Sequence, residues 1–401
     1  MMTQIRTRTQ ALETWRDFLP QVRRYAAQRN HVETGHKNVS RLSAALRYRV
    51  ITEDEIIAET LEHHRLSTVE KWLQEICWRR YWKGWLEMRP GVWTSWEARV
   101  QELRQTLPKD LLEKATVVSS GNSGVGCMDA IARELIETGY LHNHARMWWA
   151  SFWIHSEQLP WELGADFFYQ NLLDADAASN TLSWRWVAGL QTRGKTYMVR
   201  SSNIEKYAPQ LLREHPHGND RIADGLVKPC IPAEHADLTK QSLPVYPSEV
   251  VNVSDRTGLW LHTDDLVPEI GPLANLKLVA IAAFFSTEDL DEKRRVMEQA
   301  ALNDSIARSS AHYHCPSEVF ITTDKAKSLS SWAQSHDLKE VIGFAPFVGP
   351  EQKCLAQIRE HLASLGIRFT LLRRETDAHA FSFSGSGFFP FWEKMKRHLS
   401  P

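Results

Sequence analysis

From Ala11 to about Tyr207 apolar residues return every three or four positions along the chain. Met128, Ile131, Ala132, Leu135 and Ile136 form one such face, and Gly139 stands where that helix can end. The same period predicts helices over roughly 11–30, 40–46, 53–63, 67–87 and 143–158. Strand-like runs are scarce, so residues 1–207 read as an all-helical domain. Between Ala208 and Asp255 the periodicity fades and Pro209, Pro216, Pro229, Pro232, Pro244 and Pro247 accumulate, which predicts an irregular linker over 208–255. Beyond it the pattern changes. GLWLH (258–262), KLVAIAAFF (277–285), EVFITT (318–323), EVIGFA (340–345) and IRFTLLRR (367–374) are short apolar runs set between charged, helix-like stretches. Alternating strands and helices predict a doubly wound parallel sheet, Rossmann-like, over 256–401, closed by a last helix over 388–399. The fold class is therefore mainly α plus α/β.

The 401 residues carry 48 Lys+Arg against 49 Asp+Glu, a formal charge of −1, so there is no global electrostatic drive toward nucleic acid and any such contact must be local. No apolar stretch approaches the ~20 residues of a membrane helix, and MMTQIRTRTQ lacks the apolar core of a secretory signal. A cytoplasmic address without membrane partners is the expectation. Five scattered cysteines (Cys77, Cys127, Cys230, Cys315, Cys354) contain no C-x-x-C pair and read as reduced thiols rather than a metal site. Tryptophan changes the picture. Twelve of the 16 lie between Trp72 and Trp186, more indoles than packing alone asks for.

Three stretches could carry chemistry. In LLDADAASNTLSWRW, Asp174 and Asp176 stand two apart, followed by Asn180, Trp184 and Trp186. Such carboxylates are either a solvated loop or acceptors for a ring ligand's polar edge, with Arg146 as compensating charge. In KWLQEICWRRYWKGW, Trp72, Glu75, Trp78, Arg79 and Trp82 share a helix face. A core stripe is one reading; the interleaved Glu75, Arg79, Arg80 and Lys83 favour aromatic plates among cations, suited to bases and phosphates. In LHNHARMWW, His142, Asn143, His144 and Arg146 cluster, but His residues two apart point to different sides of a helix and chelate metal poorly. His215/His217 and His312/His314/Cys315 read as surface residues. GNSGVG (121–126) lacks the Lys-Ser/Thr of a phosphate loop and reads as a turn, and SGSGFF (384–389) as a flexible hinge.

In order along the chain, these pieces resemble the flavin domain of the DNA photolyase and cryptochrome family. YAAQR (25–29) and VSRLSAAL (39–46) are similar to its Tyr-containing entry and T-S-R-L-S phosphate loop, and WLQEICWRRYW (72–82) to its W-x-x-E-x-x-W-R segment. SGVGCMDAIARELIETGYLHNHARM (123–147) resembles the stretch ending in T-G-W-x-H-N-R-x-R-M, and LLDADAASNTLSWRWVAG (172–189) its D-x-D-x-x-x-N-x-x-x-W-x-W pattern. The resemblance covers about residues 11–207. The family begins with an α/β domain, whereas here TGLWLHTDDL (257–266) and GSGFFPFWEKM (385–395), which resemble parts of that domain, come last. A circular permutation is the reading that reconciles the two orders.

Carried over to this chain, the resemblance implies FAD as cofactor. Tyr25, Ser40, Arg41, Leu42, Ser43, Trp72, Arg79, Arg146, Asp174, Ala175, Asp176 and Asn180 would bind it, with Asn180 facing the flavin N5. Trp184 and Trp161 would begin a tryptophan relay, with Trp93 or Trp96 as its third member. Arg29, Glu75, Trp78, Asn143, Met147 and Trp186 would meet UV-damaged DNA and its lesion; Trp184, Trp161, Glu75 and Asn180 would be the catalytic set. Asn143 and Met147, where the pyrimidine-pyrimidone branch has His, favour cyclobutane dimers. The implied activity is that of a carbon-carbon lyase, a blue-light-driven photolyase that flips the dimer into an aromatic pocket.

A cryptochrome-like photoreceptor with a protein partner is the alternative, supported by the altered segment 190–203, where Arg193, Lys195 and Arg200 could still contact phosphate. A flavoprotein without either role is a third. His144 for Arg, Val39 for Thr and Tyr140 for Trp are further departures. An antenna chromophore, folate or deazaflavin or none, is not identified by residues 250–401.

Overall fold

The computed structural model describes residues 5–286 and 291–399, so residues 1–4 of the N-terminal stretch read above lie outside the described residues. Packing divides them into two compact units that do not follow chain order. The first comprises 24–41 and 89–239; the second comprises 5–23, 42–88 and 240–399. This cut differs from a sequential division at 207 and 255, because helices of the N-terminal half share a core with the C-terminal sheet. The Glu375–Phe383 helix lies along Leu66–Glu87 within the second unit. Gly84 permits that approach: a Cβ there would fall 2.5 Å from Ser384 Oγ and 2.8 Å from the Phe381 ring.

The second unit holds a five-stranded parallel sheet in the order β3-β2-β1-β4-β5: β1 Thr257–Leu261, β2 Ala280–Phe285, β3 Ser317–Ile321, β4 Glu340–Phe344, β5 Arg368–Leu372. The central strands β1, β2 and β4 are buried along their whole length, which is why they read as unbroken apolar runs, while β3 and β5 are half-exposed edges. Gly258 pairs with Ala280 on one side and Val341 on the other, and a Cβ on it would strike Leu338 and Trp332. The core on one face gathers Trp260, Phe284, Leu329, Trp332, Ile358 and Leu371.

Helix ends follow local chemistry. The expected helix over 11–30 begins earlier, as Arg8–Phe18, because Thr7 and Gln10 form a capping box. It then tightens over Leu19–Arg24, where Pro20 removes a backbone donor, before the short Tyr25–Gln28 turn. Thr52 and Glu55 form a second capping box that starts Glu53–His63 at the expected position.

Among its described residues the first unit has helices and no strands. Gly126–Thr138 ends at Gly139 in the left-handed conformation, φ +69°, as the sequence predicts. The helix expected over 143–158 runs as Asn143–Ser151 and continues as a wider turn over Phe152–Ser156. Trp161–Asn171 and Ala177–Val187 complete the scaffold of the carboxylate stretch. No helix of the described residues is long and apolar enough to cross a membrane.

Candidate functional site

In the first unit, the chain from Leu172 to Asp176 is held between two helices. The amide of Leu173 donates to Gly139 O at 2.9 Å. Asp174 and Asp176 are buried, 6% and 4% exposed, which removes the solvated-loop reading. Arg146 donates from Nη1 to Asp174 Oδ2 at 3.1 Å and from Nε to Leu141 O at 2.9 Å. The compensating charge expected from the sequence is therefore in place. Asp176 caps the Ala177–Val187 helix, accepting from the Ser179 amide at 2.7 Å, and Ala175 between the two carboxylates is buried. One turn on, Asn180 donates from its amide to Ala165 O at 2.8 Å, which fixes the side chain between helices.

The neighbouring histidines bond to the backbone and to one another. His142 caps the Asn143–Ser151 helix, its Nδ1 accepting from the His144 amide at 3.1 Å. Burial and the adjacent His36, His144, Arg146 and Arg29 push its pKa down to about 3, so it is neutral. Its Nε2 finds no hydrogen-bond partner among the described residues. His36, a residue the sequence reading passed over, stacks on His142 with ring centroids 5.9 Å apart and bonds Glu134 at 2.7 Å. Burial also holds His144 below the ordinary histidine range; it bonds Asn30 O at 2.8 Å and Tyr197 OH at 3.3 Å. No group of His, Cys, Asp and Glu among the described residues could hold a metal ion.

Trp184 is buried, edge-on to Phe168 at 5.1 Å. A Cβ on Gly164 would lie 2.4 Å from its ring, so glycine lets the Trp161–Asn171 helix approach that closely. Trp161 is also buried and shares a small crevice with Val92, Ser95, Trp96, Arg99 and Glu162. Trp96 donates from its indole to Glu162 O at 3.2 Å, and the Trp93 ring lies 4.7 Å from it. On the accessible side of the unit, Asn143 is exposed, Met147 half-buried, and Trp186 half-buried against Tyr197 at 5.6 Å. The half-buried Arg29 stands 5.9 Å over the ring of Tyr25, which is buried. Ser40 is half-buried and Arg41 adopts φ +57° at the end of this segment.

The second unit holds Leu42, Ser43 and the tryptophan-rich helix Leu66–Glu87. Leu42 is fully buried, and the half-buried Ser43 opens the Ser43–Arg47 turn. Trp72 lies parallel to Trp15, centroids 5.7 Å apart, and donates its indole N–H to Thr60 Oγ1 at 3.2 Å. Glu75, Trp78 and Arg79 are half-buried, and Arg79 Nη2 donates to Ser43 O at 3.4 Å. Trp78 stacks on Phe388, centroids 3.6 Å apart.

The cations expected among these aromatics divide, and this corrects the sequence reading. Arg80 is buried between Asp54 at 2.8 Å and Asp377 at 3.2 Å. Lys83 is buried with its Nζ 3.7 Å over the Phe347 ring. Neither can reach phosphate; only Arg79 of that set keeps partial access.

A second cluster, unread in the sequence, sits after β1. Asp264 takes Arg47 at 2.9 Å, Glu351 takes Lys325 at 2.7 Å and Thr263 at 3.0 Å, and His262 bonds Phe344 O at 2.9 Å. This is the point where strand order reverses in an open α/β sheet, the usual ligand crevice of such folds. Here it is filled by paired side chains. Nothing in the sequence signalled this cluster, because only the topology brings 47, 264, 325 and 351 together.

Residues 72–214 match the family model described as the FAD binding domain of DNA photolyase. This segment is thus similar to the FAD binding domain of DNA photolyases. FAD is the cofactor of the domain. The half-buried Arg146 on the buried Asp174, the Asp176 cap and the fixed Asn180 amide form a donor and acceptor set that fits the polar edge of a flavin. The photolyase match includes Trp72 to Trp186 but leaves Tyr25, Arg29 and Ser40–Ser43 outside it.

Among curated relatives, the deoxyribodipyrimidine photo-lyase of Streptomyces griseus is 29% identical over 197 residues, 45% of this chain and 42% of its own length. That of Synechococcus is 29% identical over 213 residues, 48% and 43%; that of Escherichia coli is 31% identical over 131 residues, 31% and 26%. The chain thus spans well under half the length of these relatives. Among solved structures, a class III photolyase from Agrobacterium tumefaciens gives a TM-score of 0.42 at 23% identity, covering 52% of this chain and 44% of that one. A Synechocystis cryptochrome gives 0.41 at 20%, covering 52% and 45%.

Proposed function

We propose that this protein uses FAD and blue light to split cyclobutane pyrimidine dimers in DNA. The observation that carries this reading is the first unit's separation of roles. Asp174, Asp176 and Asn180 are buried and held, while Asn143, Met147 and Trp186 keep access to solvent on neighbouring helices. Binding residues that are fixed, beside recognition residues that are open, suit a bound cofactor serving an external substrate.

Within this reading Tyr25, Ser40, Arg41, Leu42, Ser43, Trp72, Arg79, Arg146 and the Asp174–Asp176 segment hold FAD, and Arg29, Glu75, Trp78, Asn143, Met147 and Trp186 meet damaged DNA. The flavin supplies the light-driven electron when bound. Trp184 and Trp161 begin the indole path in this reading, and Trp96 is favoured over Trp93 as its third member because it shares a crevice with Trp161. We also infer that the domain order is a circular permutation of the family's, which the late position of the parallel sheet supports.

One observation favours a photoreceptor instead. The position that resembles a family arginine is His144, buried and neutral, so a cation is missing from that surface. Irradiated oligonucleotide mixed with the fully reduced, FAD-loaded protein separates the readings. Under blue light, dimers should be lost in proportion to dose. If splitting is the same in the dark as in the light, or absent from both, the repair reading fails.

A further inference from the structure

The tract Ser384-Gly385-Ser386-Gly387 leads from the Glu375–Phe383 helix into Phe388–Leu399. Its first helical residue, Phe388, lies on Trp78 with centroids 3.6 Å and planes 7° apart. Aromatic pairs in folded cores favour offset or edge-on contacts with centroids ~4.5–7 Å apart. The other partners of Trp78 follow that rule: Tyr81 is edge-on at 5.6 Å and Trp82 tilted at 5.2 Å. A flat plate seated directly over an indole is instead how an unpaired nucleobase is held.

The glycines point the same way. A Cβ at Gly387 would meet nothing nearer than 3.9 Å, and one at Gly385 nothing nearer than 3.4 Å. Neither has a left-handed φ. Crowding does not require glycine at either position; what glycine adds is freedom of the chain. Between the buried Ser384 and Phe388, Gly385 is half-buried and Ser386 and Gly387 are exposed; Tyr81 OH donates to Ser386 O at 2.7 Å, the Phe391 amide donates to Gly387 O at 3.3 Å, and Phe389 beyond them is 66% exposed.

We propose that Phe388 is an internal stand-in for a nucleobase on the Trp78 plate, and that the 384–389 tract swings aside when an unpaired pyrimidine of a DNA strand takes its place. The proposal rests on Trp78 being a lesion-facing plate, as in the function proposed above. The closed state then acts as a competitor that lowers apparent affinity by the fraction of open molecules.

The test uses full-length, FAD-loaded protein and fluorescence anisotropy with a labelled single-stranded oligothymidine, with and without a dimer. Phe388→Ala should tighten binding of both strands about tenfold by removing the competitor. Gly385→Ala with Gly387→Ala should weaken it about threefold by stiffening the hinge. Adding Trp78→Ala to Phe388→Ala should abolish the gain. Where Phe388→Ala melts out, Phe388→Leu, which fills the space without a plate, should give the same direction.

A folded Phe388 variant that binds no tighter overturns the proposal, as does a gain that survives loss of Trp78. Tighter binding of the undamaged strand without light-driven splitting would retain the plug and remove repair. Splitting with no gain in binding would do the reverse.

Discussion

The charges that hold the sheet of the second unit and those beside the carboxylate stretch of the first unit are buried differently. In the second unit Asp377 is fully buried, accepting Arg49 Nη1 at 2.6 Å and Nη2 at 2.8 Å and pairing with Arg80 at 3.2 Å. Arg49 also reaches Asp265 at 3.1 Å, Asp265 takes Arg374 at 2.7 Å, and Arg80 takes Asp54 at 2.8 Å. The guanidinium groups beside Asp377 hold its carboxyl well below the usual range. The first unit instead keeps His142, His144 and His155 buried and neutral, and its Arg146–Asp174 pair leaves the Arg146 side chain 23% exposed. A closed network, in which every charge has two or more partners, is scaffold. A pair that keeps access to solvent is what a binding site needs, because a ligand can reach it.

The largest expected effect breaks the closed network. Asp377→Ala takes one carboxylate partner from each of two buried guanidinium groups and should cost about 3 kcal/mol, read as a fall in the urea midpoint with an unchanged slope. A loss under about 1 kcal/mol would mean that the network relaxes and is not what holds the helices to the sheet.

The next effect separates the units by pH. The unfolded His142 binds a proton near pH 6.5, but the folded one only near 3, so between those values the unfolded state holds more protons. Stability from this residue is complete above about 6.5 and is lost as pH falls toward 3, by about 1.4 kcal/mol per unit. His144 and His155, also lowered by burial, add in the same direction. The depressed carboxylates Asp264, Asp265 and Asp377 contribute above about pH 4 and fail only as pH falls below it. Urea unfolding at pH 6.5 and 5 should therefore show a loss in the native protein that His142→Asn, which keeps a helix cap, reduces by about 1.5 kcal/mol. Equal losses in both proteins would place the acid sensitivity elsewhere.

This contrast was only partly legible in the sequence. Short apolar runs located the five strands, the central three because strands buried on both faces are largely apolar and the two edges because they keep apolar residues on the covered face, and periodicity located Gly126–Thr138 because Gly139 is a local stop. The Arg146–Asp174 pair was legible because a pattern two residues wide, D-x-D, demands a cation. Arg80 and Lys83 were misjudged for the converse reason: on one helix they look like companions of Arg79, and partners distant in the chain, Asp377 for Arg80 and Phe347 for Lys83, turn them inward. His36 gave no signal at all, since its partners Glu134 and His142 meet it only through the fold. Sequential reading also placed 42–88 with the first helices, whereas its buried charges belong with those of 264, 265 and 377.

The smallest expected effect tests the open side of the first unit. Asn143 is exposed at the first position of its helix, with His142 already supplying the cap. Asn143→Ala should therefore change stability by no more than about 0.5 kcal/mol, within the range of ordinary surface substitutions. If Asn143 meets the lesion, the same change should weaken binding of a dimer-containing strand about fivefold, the worth of one hydrogen bond, while binding of the undamaged strand stays level. Equal weakening of both strands would make Asn143 a general DNA contact. No weakening of either would leave the accessible face of this unit to a protein partner, and the contrast between a closed scaffold and an open lesion site would have to be redrawn.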